Sequence, residues 1–226
     1  MADERSRAGR LLDEIEEHIA AIRNLHLNQE YHLRRMEKLM EGMRIKKICL
    51  DAGHGGPKPG AVFGGLKEKD IVLDIALRAG EVLEDQGIEV AYTRRDDSDV
   101  GLQERCDIAN NANCDIFVSV HCNADPDSDQ AGDPEAHGEE IWYKSPPGKV
   151  LAQSLSKEVD QFFPNEPFRG IKQTDKLWVL NQTNMPAVLI EVGFIDASTT
   201  NESFNDESTI ASIAELIAQG ISRFLC

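Results

Sequence analysis

Three apolar runs in the sequence lead to residues that can bind a metal ion or move a proton. The runs at 48–50, 116–120 and 187–190 are followed, directly or within four residues, by His54, His121 and Glu191. Short apolar runs of this kind predict buried strands of a parallel sheet. Because ligands of open parallel sheets gather at the carboxyl ends of the strands, we expect these three side chains to converge.

Two imidazoles and a carboxylate, with a further carboxylate nearby, are the components of a catalytic zinc site. Three protein ligands leave the fourth tetrahedral position for water, and the further carboxylate can accept a proton from that water. His54 and His121 are the candidate nitrogen ligands. The candidates for the third ligand are Glu68, Asp70 and Asp51, and their spacing does not separate them.

Alternating strand and helix patterns predict the elements that position these residues. Strands are expected at 45–50, 88–93, 116–121, 140–143, 178–180 and 187–192, and helices at 69–86, 102–112, 148–163 and 210–224. Gly87 follows the first helix at the position of a helix-terminating glycine. Strands that alternate with helices of this length imply βαβ units. The predicted fold class is α/β, with a single mainly parallel, mixed sheet and helices on both faces.

Residues 1–44 differ from the rest of the chain and predict a separate helical segment. They contain no proline, and a seam of residues recurs at alternating steps of three and four, as in a coiled coil. The seam consists of Leu12, Ile15, Ile19, Ile22, His26, Gln29, Leu33, Met36, Met40 and Met43. We therefore expect an N-terminal coiled-coil-like segment at 1–44, followed by a catalytic domain at 45–226. The helix either forms a homo-oligomer through residues 12–43 or packs on its own domain.

The composition argues against several classes of protein. A formal net charge of -16 disfavours a nucleic-acid partner, because a polyanion binder needs a concentrated basic surface. No apolar run approaches the length of a membrane span. The start of the sequence lacks the features of a secretory signal, which predicts synthesis in the cytoplasm without a signal peptide. Five cysteines without a C-x-x-C pair fit small buried hydrophobes better than a disulfide framework.

Six segments resemble the zinc-dependent N-acetylmuramoyl-L-alanine amidases of type 3, which are peptidoglycan hydrolases found among bacterial autolysins and phage endolysins. The segments are DAGHGG (51–56), GLKEKD (65–70), TRRDD (93–97), LQERCDIAN (102–110), SVHCNA (119–124) and NMPAVLIEVGFID (184–196). The resemblance extends from about Lys46 to Leu225. It implies that zinc is held by His54, Glu68 and His121, and that Glu191 is the catalytic residue.

The reaction that this resemblance implies is hydrolysis of the amide between the lactyl group of N-acetylmuramic acid and L-alanine of the stem peptide. Glu191 would activate a zinc-bound water. Peptidoglycan would be the substrate, and the enzyme would act at the cell wall or in the periplasm, with phage-lysin-like release as one route. Two other functions stay open from the residues: a zinc peptidase that cuts within a peptide, and a non-catalytic oligomeric wall-binding module.

Overall fold

The computed structural model describes residues 16–19, 22–36, 46–125, 137–162, 167–196 and 204–226. The chain divides into two compact units, Met1–Arg44 and Ile45–Cys226. In the first unit, residues 16–19 and 22–36 are helical, as the periodicity predicts. The described apolar seam residues are 42–68% exposed, and pairing of this helix stays a prediction. The seam residues Leu12, Ile15, Met40 and Met43 lie outside the described residues.

The second unit contains eight strands and five helices in the described part of the chain. The strands are β1 (Lys47–Ala52), β2 (Val62–Phe63), β3 (Leu66–Lys67), β4 (Glu89–Tyr92), β5 (Ile116–Asn123), β6 (Glu140–Tyr143), β7 (Ile171–Gln173) and β8 (Ala187–Phe194). The helices are α1 (Glu68–Asp85), α2 (Leu102–Asn111), α3 (Pro146–Phe162), α4 (Trp178–Gln182) and α5 (Glu207–Leu225).

The main sheet has six strands in the order β4-β1-β5-β8-β6-β7, and β2 and β3 form a separate antiparallel pair. Neighbouring strands of the main sheet are parallel except for β6 and β8, which are antiparallel. This confirms the predicted mixed, mainly parallel sheet. The carboxyl ends of β1, β5 and β8 therefore lie side by side at one edge of the fold.

Each face of the sheet has its own hydrophobic core. On one face, α1, α3 and α5 pack over strand residues such as Leu50, Val118 and Ile190, and α5 contacts both other helices. On the opposite face, a smaller cluster joins α2 and α4 to Phe117 and Leu189. Because α4 has only five residues, this second layer covers less of the sheet. Helices on both faces confirm the predicted layer arrangement.

Local signals in the sequence explain several element ends. Gly87 has a φ of +80°, and the amides of Gly87 and Ile88 donate to the carbonyls of Glu84 and Leu83 at the end of α1. A side chain would disfavour this left-handed conformation, so glycine ends the helix where the sequence predicts.

Four cysteines, at 49, 106, 114 and 122, are buried free thiols, while Cys226 is exposed. Among the described helices, none is both long enough and apolar enough to cross a bilayer.

The structure corrects one predicted element and extends others. The strand predicted at 178–180 is wrong, because these residues begin the short helix α4. A three-residue apolar run is compatible with either structure, so its periodicity could not separate them. The predicted strand ends at His121 and Val192 are also too early, since β5 and β8 continue to Asn123 and Phe194.

Candidate metal and catalytic site

Strands and loops at one edge of the sheet bring the predicted site residues together. His121 on β5 and Glu191 on β8 are direct cross-strand partners. Because side chains alternate along a strand, both lie on the face of Leu189, which α2 and α4 cover only in part. His54 follows β1, and Glu68 is the first residue of α1. The expected convergence of His54, His121 and Glu191 at this edge is therefore present.

His54, Glu68 and His121 form a compact group of possible metal ligands. Glu68 Oε1 lies 3.0 Å from His54 Nε2 and 2.9 Å from His121 Nδ1. One ligand atom from each residue lies within 4.8 Å of the others. Among the described residues, this is the group of His, Cys, Asp or Glu side chains that could hold a metal ion. The two imidazole rings are nearly perpendicular, with centroids 5.0 Å apart. Two nitrogens and one carboxylate are a typical protein ligand set for catalytic zinc.

The Glu68 carboxylate is held in place by backbone amides as well as by the histidines. The amide of Cys122 donates to Oε1 at 3.1 Å, and the amide of Ala61 donates to Oε2 at 2.9 Å. Burial alone would raise the pKa of Glu68, but hydrogen bonds from His121 and His54 outweigh it and lower the pKa to about 2. The side chain is therefore an oriented, ionised carboxylate, which is the form that binds a metal ion.

Two glycines allow close packing of the backbone around these ligands. A Cβ on Gly53 would lie 2.3 Å from His121 Cε1. A Cβ on Gly60, where φ is +69°, would lie 2.3 Å from Glu68 Oε2. Both separations are too short for any side chain, so only glycine fits at these two positions. The main chain at Gly53 and Gly60 therefore lies directly against the His121 imidazole and the Glu68 carboxylate and restricts where they can lie.

Buried arginines hold the loop that carries His54. His54 has a φ of +60°, which is uncommon for a residue other than glycine. Arg94 donates to the carbonyls of Ala52 at 2.9 Å and Gly53 at 2.7 Å. Arg105 donates to the carbonyls of Ala52 and His54. Since these donors bind successive carbonyls, they fix the turn that aims the imidazole toward Glu68.

Glu191 is partly buried beside the metal-ligand group, and one of its carboxylate oxygens, Oε2, is fully buried. Its Oε2 atom has no hydrogen-bond partner among the described residues. Burial raises the pKa of Glu191 to about 7, with the nearby His121 opposing the shift and Glu68 adding to it. A buried carboxylate oxygen without a partner costs free energy, which makes Glu191, next to possible metal ligands, a candidate functional residue.

Comparison with known proteins identifies the family. The sequence matches a family described as N-acetylmuramoyl-L-alanine amidase, Amidase_3, over residues 48–223. The chain belongs to this amidase family. Its sequence is 39% identical to the endolysin of Bacillus phage SPP1 over 185 residues, which cover 80% of this chain and 66% of the endolysin. It is 34% identical to the sporulation-specific N-acetylmuramoyl-L-alanine amidase of Bacillus subtilis (strain 168), covering 78% of this chain and 67% of that protein.

The fold of this chain is similar to that of amidases whose structures have been solved. The N-acetylmuramoyl-L-alanine amidase AmiC2 of Nostoc punctiforme has a TM-score of 0.74 and 32% sequence identity, covering 80% of this chain and 97% of that chain. The catalytic domain of CwlV from Bacillus (Paenibacillus) polymyxa has a TM-score of 0.73 and 31% identity, covering 80% of this chain and 98% of that chain. The similarity thus extends over about four fifths of this chain and nearly the whole of each of those two chains.

The structure of the amidase also separates the three acidic candidates for the third ligand. Glu68 lies in the ligand group, whereas Asp70, in the same first turn of α1, is exposed. Asp51 is buried and accepts hydrogen bonds, each at 2.6 Å, from Thr93, Ser119 and Arg105. Because Asp51 already has three donors, it acts as a structural counter-ion of Arg105 and is not part of the ligand group.

Sequence reasoning assigned no role to a second polar group beside Glu191. Glu140 on β6 is the cross-strand partner of Glu191, and it is buried. It accepts hydrogen bonds from Lys172, Arg169 and Trp142. Burial opposes ionisation, but these donors outweigh it and lower the pKa of Glu140. The two adjacent carboxylates therefore differ: Glu140 is paired with cations, while Glu191 has an unpartnered oxygen.

Proposed function

We propose that this chain hydrolyses the amide between the lactyl group of N-acetylmuramic acid and L-alanine in peptidoglycan, with zinc held by His54, Glu68 and His121. The observation that carries the proposal is the Glu191 carboxylate directly beside His121, whose buried Oε2 lacks a partner in the described residues. Membership of the amidase family supports the choice of scissile bond. The cell-wall and phage-lysin relatives support action at the cell wall. Residues 45–226 form the catalytic domain in this proposal.

The donor set and its packing fit a zinc ion. The two imidazole nitrogens and the carboxylate oxygen lie within 4.8 Å of one another, and backbone amides orient the carboxylate. When bound, zinc supplies Lewis-acid chemistry, because it polarises a carbonyl oxygen and makes water more acidic. The protein contributes the fixed positions of the ligands and of Glu191.

In this mechanism Glu191 carries the proton. One carboxylate oxygen accepts a proton from the attacking water as the new carbon–oxygen bond forms at the lactyl carbonyl. Glu191 then donates that proton to the nitrogen of L-alanine as the carbon–nitrogen bond breaks. The products are a lactyl carboxylic acid on the glycan and a stem peptide with a free amine. A positioned acid–base group of this kind contributes roughly 10² to 10⁴ in rate.

Two substitutions test these roles because they should separate catalysis from metal binding. Glu191→Gln should abolish turnover and leave zinc bound, whereas His121→Ala should lose both. Zinc content of the purified variants and lysis of purified cell walls are the two measurements. Glu81→Gln, an exposed position on α1, is the matched control for loss of one carboxylate. An active Glu191→Gln protein would contradict the assignment of the catalytic residue.

The products of wild-type digestion identify the bond that is cut. Purified peptidoglycan is digested with and without a chelator, and the released fragments are analysed by mass spectrometry. We expect chelator-sensitive release of intact stem peptides from unbroken glycan. Fragments cut within the stem would instead indicate a peptidase, and no release from any wall type would favour a binding module.

A further inference from the structure

A cavity of about 470 Å³ opens beside the candidate metal site. His54 and His121 form part of its lining, so a molecule in the cavity would reach the reacting centre. Most of the remaining lining comes from the segments 100–105 and 176–179, at the starts of α2 and α4, together with Leu189 of β8. Six of these residues are apolar: Val100, Leu102, Leu177, Trp178, Val179 and Leu189.

This lining suits one side of the scissile amide better than the other. The glycan side carries many hydroxyl groups, and each hydroxyl that loses water without gaining a hydrogen bond costs free energy. The buried polar groups of the lining, Asp51 and Arg105, are already paired with each other at 2.6 Å. The peptide side begins with the methyl group of alanine, which an apolar wall accommodates. The cavity therefore fits the peptide side.

Two lysines line the same cavity, and their ammonium groups differ in availability. Lys58 Nζ donates to Asp99 at 2.8 Å. Lys176 is exposed, and its Nζ has no hydrogen-bond or ion-pair partner within the described part of the chain. The side chain of Lys176 is thus a cation beside an apolar cavity with donors free for a ligand. Its natural counterpart is a carboxylate.

We propose that the cavity binds the peptide arm of the substrate and that Lys176 binds a carboxylate on its second residue. This inference rests on the proposed function, because it takes the scissile amide to lie at the metal site. The second residue of stem peptides is either D-isoglutamate, which carries this carboxylate, or D-isoglutamine, in which the carboxylate is replaced by a neutral amide. Lys176 is then a specificity-determining residue that favours the unamidated peptide.

The experiment compares two substrates that differ only in this group. They are glycan-linked stem peptides of identical length with D-isoglutamate or D-isoglutamine as the second residue, and kcat/KM is measured for each. We expect the zinc-loaded wild-type protein to prefer the acidic substrate by about two- to fivefold. Lys176→Gln should lose this preference by slowing only the acidic substrate, while Lys176→Arg should retain it. Rising salt should reduce the preference because the ion pair is exposed.

Lys149→Gln is the matched control. Lys149 lies on α3, which packs on the opposite face of the sheet, and its substitution changes the net charge equally. This variant should keep the wild-type preference. The subsite would be overturned if the wild-type protein showed no preference, or if Lys176→Gln lowered kcat/KM equally for both substrates. Hydrolysis of the substrates would still uphold the amidase function in either case. Failure of the wild-type protein to cleave either substrate would overturn both proposals.

Discussion

Replacing Glu191 by glutamine should stabilise the metal-free protein at neutral and alkaline pH, even though it removes the proposed catalytic group. Burial raises the native-state pKa of Glu191 to about 7, compared with 4.5 for an ordinary glutamate. Between these values the unfolded chain has released its proton while the native state still holds it. Stability therefore falls as pH rises through this window. At about 1.4 kcal/mol per pH unit over the interval from 4.5 to about 7, the free energy of unfolding falls by about 3 kcal/mol in total.

Urea unfolding in the presence of a chelator measures this effect. Glutamine resembles the protonated carboxyl in shape and charge, so the wild-type and Glu191→Gln proteins should have similar unfolding free energies near pH 4. The variant should become more stable by about 3 kcal/mol near pH 8. The exposed Glu81→Gln variant should follow the wild-type curve throughout. Equal stability of the wild-type and Glu191→Gln proteins at alkaline pH would refute the argument, as would a difference that does not vary with pH.

Two further substitutions test the scaffold of the site. Arg105→Met leaves the buried Asp51 carboxylate without its cation. Urea unfolding should therefore show a free energy of unfolding lower by about 3–5 kcal/mol. A decrease well below this range would show that the pair is dispensable. Gly60→Ala places a Cβ 2.3 Å from Glu68 Oε2, so competition with a chromophoric chelator should show roughly 10- to 100-fold weaker zinc binding. Gly65→Ala also has a positive φ but meets no atom within 4 Å, and an equal effect there would attribute the loss to backbone strain alone.

Much of the fold follows from patterns within single segments. The amphipathic periodicities of α1, α2, α3 and α5 and the apolar runs of β1, β5 and β8 are long enough to determine the type of each element. Elements of two to five residues are different, because pairing and packing with distant residues decide their structure. Strand β7 exists through its pairing with β6, and α4 through its packing on α2. Neither partner is visible in the local sequence.

The site could be predicted in part because strand ends and motif resemblance point to the same residues. His54, His121 and Glu191 follow from strand ends alone, but the choice of Glu68 over Asp51 needed the family resemblance. The roles of Arg94 and Arg105 could not be predicted, since their acceptors are carbonyls of a loop about 40 to 50 residues away. One signal was present: Arg105 occupies the apolar side of α2 beside Cys106 and Ala109, where an unpaired charge would be costly.

The buried arginines also explain how the fold tolerates unfavourable features at one edge. His54 has an uncommon backbone conformation, and the Glu191 carboxylate lacks a hydrogen-bond partner at Oε2 in the described residues. Such features persist only where surrounding contacts fix them. The hydrogen bonds of Arg94 and Arg105 fix the His54 turn, and the three-helix core on the opposite face holds the strands in register. The fixed strands and turn thus hold Glu191 beside His121 although its Oε2 atom has no donor among the described residues.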